Sequence, residues 1–60
     1  MIYENIKKYC DKENISIAEL ERRAGLSKNA IGKWQKSAPS APNLKKVADY
    51  FNTTMDELMK

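Results

Sequence analysis

Histidine is absent from this 60-residue chain, cysteine occurs once, and glycine and proline occur twice each. With no histidine and no second cysteine, metal-ligand clusters and the usual general-base pairs have no residues to be built from. Gly25 and Gly32 stand apart, so no glycine loop can cradle a phosphate. So small a core can spare no concave site, and Asp49, Asp56 and Glu57 fall near helix starts and on outer faces where capping and solvation account for them. An enzyme is therefore rejected, and no catalytic residue, cofactor, metal or small-molecule ligand is expected. A single Cys10 forms no internal disulfide, so packing alone must hold the fold, as suits a reducing compartment. Cys10 itself reads as a small buried hydrophobe rather than a redox sensor.

Long apolar runs are missing too. No stretch approaches membrane-spanning length, and Met1 to Cys10 carries Tyr3, Glu4, Asn5, Lys7 and Lys8 where a secretory leader would be apolar. A cytoplasmic protein without a membrane partner is the expectation. Sixty residues cannot divide into two cores, so residues 1–60 should form one domain that uses nearly all its apolar side chains. A hydrophobic content of 42% with so few turn formers suits an all-α fold better than disorder or a turn-rich β fold.

What is present is helical spacing with caps. Ile2, Ile6 and Tyr9, widened by Cys10, form one stripe over about residues 2–13, and Asn14 suits a left-handed terminus. Ser16 with Glu19 reads as a capping box ahead of Ile17, Leu20 and Ala24, and Gly25 stands where that stripe stops. Ser27 offers a further N-cap, and Ala30, Ile31 and Trp34 give residues 27–36 their own inward stripe, with Trp34 read as core rather than as a stacking aromatic. Residues 37–43, SAPSAPN, form a loop that leads through Pro42 into a helix burying Leu44, Val47, Ala48 and Phe51 and exposing Lys45, Lys46 and Asp49. The amides near Asn43 and Leu44 would then point outward as a phosphate site. Thr54 and Glu57 form another capping box before Met55, Leu58 and Met59.

Charge is distributed unevenly along this frame. Residues 1–21 hold three lysines against five acids, and residues 47–60 one lysine against three acids, whereas residues 22–46 hold seven lysines or arginines and no acid. A middle segment of this sign directs a local field at phosphate, although the net charge of +3 is modest. A helix over residues 27–36 would place Lys28, Asn29, Gly32, Lys33 and Lys36 on one face. Lysine suits guanine acceptors and asparagine the donor and acceptor pair of adenine, while Gly32 would let the backbone approach a duplex closely.

Residues 16–36, two stripes joined at Gly25, resemble the helix-turn-helix of the phage-repressor-type (Xre-like, Cro-like) DNA-binding family. The matching pattern runs through Ile17, Leu20, Ala24, Gly25, Leu26, Ile31 and Trp34 and continues into NLKKVADYF and TMDELM. The resemblance covers nearly the whole chain and implies a compact five-helix, lambda-repressor-like domain. Its groove-reading helix falls on residues 27–36, with base contacts from Ser27, Lys28, Asn29 and Lys33. It also implies phosphate contacts from Ser16 with the Ile17 amide, from Lys36, and from Ser40 and Asn43. The C-terminal end commonly pairs two subunits in this family, which points to Tyr50, Met55 and Met59 as a homodimer contact on a pseudo-palindromic operator, the alternative being that they only close the monomer's core.

Two features depart from the family pattern. Glu21 stands where a small residue usually sits, and it is expected to lean to the edge and meet Lys28 or Arg22, because a lone buried carboxylate is costly. Cys10 and Gln35 occupy positions that an Arg/Glu pair braces in many phage repressors. The function expected is sequence-specific binding of double-stranded DNA as a transcriptional repressor. The alternative is an interaction module or antitoxin-type adaptor that grips an acidic partner with the same basic face.

Overall fold

Three left-handed residues cut the chain into its main helices. In the computed structural model, which describes residues 2–60, helix α1 spans Ile2–Glu13, α2 spans Ile17–Ala24, α3 spans Ala41–Tyr50 and α4 spans Met55–Met59. Asn14 (φ 61°), Gly25 (φ 78°) and Asn52 (φ 57°) follow α1, α2 and α3 in turn. After each, the next amide reaches back to a carbonyl inside the last turn: Ile15 N–H to Cys10 at 3.0 Å, Leu26 N–H to Glu21 at 2.8 Å and Thr53 N–H to Ala48 at 2.9 Å. This closure satisfies helix-end carbonyls and requires a positive φ, which glycine and asparagine adopt at least cost.

The helix starts are capped by hydroxyls. Ser16, Ser40 and Thr54 accept the amides of Glu19, Asn43 and Glu57 at 3.0, 3.4 and 3.1 Å. Only this half of each expected capping box forms, because Glu19 turns to Arg22 and Arg23 and Glu57 turns to Lys60. The third helix starts earlier than its apolar pattern suggests, since Ser40 caps it and Pro42 occupies its first turn, where a missing N–H has no cost.

Each of the four α-helices, and Ile31 from the segment between α2 and α3, contributes to one core of Ile6, Cys10, Leu20, Ile31, Leu44, Val47, Ala48 and Leu58. Helix α1 packs on α4 and α2, while α3 packs on both α2 and α4. Asn5 Nδ2 donates to the Leu58 carbonyl at 2.8 Å, and the Tyr9 and Thr53 hydroxyls meet at 3.3 Å, so polar contacts fasten short α4 and the turn before it to α1. Phe51 is half-buried rather than buried. It closes the end of α3 and stacks on Tyr9 with ring centroids 5.1 Å apart.

The expected count of five α-helices is corrected by residues 27–36. This segment is a turn over residues 28–31 followed by a short 3-10 helix, Gly32–Gln35, so the all-α class holds with four α-helices.

Candidate nucleic-acid interface

Glu21 determines the shape of the segment between α2 and α3. Its side chain lies in α2, only 5% exposed, and its two carboxylate oxygens accept the backbone N–H of Asn29 at 3.1 Å and of Ile31 at 2.9 Å. The expected pairing with Lys28 or Arg22 does not occur, and Arg22 bonds to Glu19 instead. Backbone donors satisfy the buried carboxylate in place of a side-chain cation, and hydrogen bonds to an ionised acceptor are stronger than neutral ones.

That arrangement excludes a regular helix at Ser27. In a continuous helix the Ile31 amide would bond the Ser27 carbonyl, but it is held by Glu21, and the Ala30 amide takes that carbonyl at 3.1 Å. Asn29 is thrown into the left-handed region at φ 67° without ending any helix. Ser27 is therefore not an N-cap, and its hydroxyl is exposed and bonded to nothing among the described residues. Ile31, fully buried, anchors the turn from inside. Trp34, half-buried, packs its ring against the core from the 3-10 helix.

The helical-face reading of Lys28, Asn29, Gly32, Lys33 and Lys36 changes accordingly. Ser27, Lys33, Lys36, Ser40 and Asn43 line one open groove of about 450 Å³. This brings two of the expected base readers beside three of the expected phosphate binders. Lys28 and Asn29 are exposed on the turn but do not line that groove; Lys28 borders a smaller one beside Ala18 and Arg22. Ser16 and Ile17 lie at the start of α2, also outside the groove of Lys33 and Lys36. The Ser16 and Ser40 oxygens already accept capping amides, which leaves each hydroxyl proton able to donate to a phosphate.

Pairing sorts the seven basic residues of the middle segment. Glu19 holds Arg22 and, at 2.6 Å from Nε, Arg23. Arg23 Nη1 also donates to the Tyr50 hydroxyl at 2.9 Å, and Lys45 pairs with Asp49 at 3.2 Å. Hydrogen bonds from Arg22 and Arg23 hold the Glu19 carboxyl below its ordinary pKa, and Tyr50, then Glu19, raise that of Arg23. Among the described residues, Lys28, Lys33, Lys36 and Lys46 remain exposed without an acidic partner. The spacings Glu19 to Arg22 and Arg23, and Lys45 to Asp49, are visible in sequence, whereas the Tyr50 partner is 27 positions from Arg23 and is not.

The C-terminal residues divide by exposure. Met55 and Tyr50 pack half-buried against the core, and Met59 is 51% exposed. Cys10 is buried, and that burial raises its thiol pKa. Among the described residues no helix is long and apolar enough to cross a membrane, and no three His, Cys, Asp or Glu side chains cluster to hold a metal.

The family model described as Helix-turn-helix matches residues 6–58. No curated protein and no solved structure matches the chain.

Proposed function

The chain belongs to the phage-repressor-type (Xre/Cro-like) DNA-binding helix-turn-helix family, and from that premise we propose that residues 1–60 act as one cytoplasmic, sequence-specific DNA-binding domain that represses transcription. The observation that carries this reading is the groove in which Ser27, Lys33, Lys36, Ser40 and Asn43 meet with unpaired lysines and no carboxylate. In the proposed complex the segment 27–36 faces the major groove. Lys33, Lys28 and Asn29 address base edges, with Ser27 beside them, while Lys36, Ser40, Asn43, Ser16 and the Ile17 amide hold phosphates. A turn followed by a 3-10 helix is slimmer than an α-helix, so it fits a major groove about 12 Å wide. Repression follows by occlusion of a promoter.

Met59, exposed at the end of α4, supports a two-fold contact that Met55 and Tyr50 would extend. Two such domains address half-sites about one helical turn, roughly 34 Å, apart on a pseudo-palindromic operator. Selection of bound sites from a random duplex pool tests the whole reading. Enrichment of a two-fold motif is expected, and recovery of no motif sinks sequence-specific binding. A motif containing one unrepeated half-site, bound by a monomer, removes the dimer alone.

A further inference from the structure

We infer that Glu21, a residue that touches no DNA, is the positioning residue that sets base discrimination. This inference rests on the DNA-reading role proposed for residues 27–36. The Glu21 carboxylate takes the Asn29 and Ile31 amides on separate oxygens, at 3.1 and 2.9 Å, from a position in α2 that is 5% exposed. These two bonds bracket the turn, and the residue between them, Ala30, closes onto Ser27 at 3.1 Å. Lys28 and Asn29 are thereby displayed on a loop pinned at one end by the α2 terminus at Gly25 and at the other by the buried Ile31.

The same carboxylate replaces the hydroxyl that would otherwise cap this segment. Ser27 bonds none of the described amides through its side chain, so its hydroxyl is left for a ligand. An asparagine at φ 67° occupies a conformation that most side chains avoid, and it persists where the surroundings over-determine it. Here the over-determining group is an acid buried beneath a basic surface. Its charge by itself repels DNA, so a benefit to binding must come through geometry.

Charge and geometry therefore have opposite effects in one variant. Glu21→Gln keeps the shape, removes one negative charge, and turns an NH₂ group toward one of the two amide donors. Loss of charge alone tightens binding to every duplex by the same factor. Loss of positioning weakens the selected site specifically. The experiment measures affinity of wild type and Glu21→Gln for the site recovered from a random pool and for random duplex at one salt concentration. The ratio of the two affinities is independent of the folded fraction, so a merely structural role leaves it unchanged. We expect the ratio to fall about tenfold or more, the scale of one lost base contact, with random-duplex binding equal or tighter. An unchanged ratio overturns the inference while leaving sequence-specific binding intact, whereas a wild type with no preferred site fails the proposed function itself. Amide hydrogen exchange on the free wild type gives a second readout that needs no variant. Protection at Asn29 and Ile31 is expected, and exchange there at the rate of an open loop overturns the inference.

Discussion

The Arg23 guanidinium donates to the Tyr50 hydroxyl at 2.9 Å, which ties the last turn of α2 to the last residue of α3 across 27 positions of sequence. Glu19 holds the same guanidinium from the other side at 2.6 Å. Removing the hydroxyl with Tyr50→Phe keeps the ring against Phe51, where the centroids lie 5.1 Å apart, and deletes only the tie. Because both partners remain partly solvated, the expected loss is about 0.5 kcal/mol, read from urea unfolding. A loss above about 2 kcal/mol would mean that the tie organises the whole α2–α3 contact.

Acid should release Glu19 later than an ordinary carboxylate. Arg22 and Arg23 lower its folded-state pKa, so its contribution is present above the unfolded value and drains as pH falls through the depressed folded one. The melting-temperature difference between wild type and Glu19→Gln is therefore expected to hold from neutral pH down to the ordinary glutamate range, to shrink from there, and to close only below that range. A difference that closes while pH is still above that range contradicts the pairing.

Four lysines without acidic partners determine how steeply salt should weaken DNA binding. If Lys28, Lys33, Lys36 and Lys46 each neutralise a phosphate, alone or while also reaching a base edge, and both arginines stay on Glu19, log affinity should fall against log salt with a slope of about 3 to 4 per domain. Lys36→Ala should lower that slope by about 1 and weaken all sequences alike. Asn29→Ala or Lys33→Ala should instead cost roughly 1 to 3 kcal/mol of discrimination at one base pair. A slope of about 5 or more in titrations would mean that the arginines leave Glu19 for the DNA.

The two glycines should answer alanine differently. Gly25 sits at φ 78° with open space where a Cβ would go, so Gly25→Ala should cost about 1 to 2 kcal/mol from backbone strain alone. Gly32 has an ordinary backbone and equally open space, so Gly32→Ala should leave thermal unfolding nearly unchanged. A close approach of that backbone to a duplex would then appear as lost affinity in a fully folded variant, measured by fluorescence anisotropy.

The corners and caps of this fold are legible because their causes are local. Asn14, Gly25, Ser16 and Thr54 act within a few residues of themselves, and each does what its chemistry suggests. Periodicity likewise identifies Ile6, Leu20, Leu44, Val47 and Leu58 as core. The same local logic misleads over residues 27–36. Ser27 and the apolar spacing there suit a helix, but the competing acceptor is Glu21, eight and ten residues upstream of the amides it takes.

The sequence by itself determined an all-helical domain, the turn at Gly25, most of the core and a middle segment with seven cations and no acid. Only tertiary structure decided that Arg23 would also meet Tyr50, and that a buried carboxylate would shape the segment carrying Lys28, Lys33 and Lys36. Hydrogen bonds within a turn follow from neighbouring residues. A buried charge must instead find its donors wherever packing brings them, and here packing brought two backbone amides to Glu21 in place of any lysine or arginine.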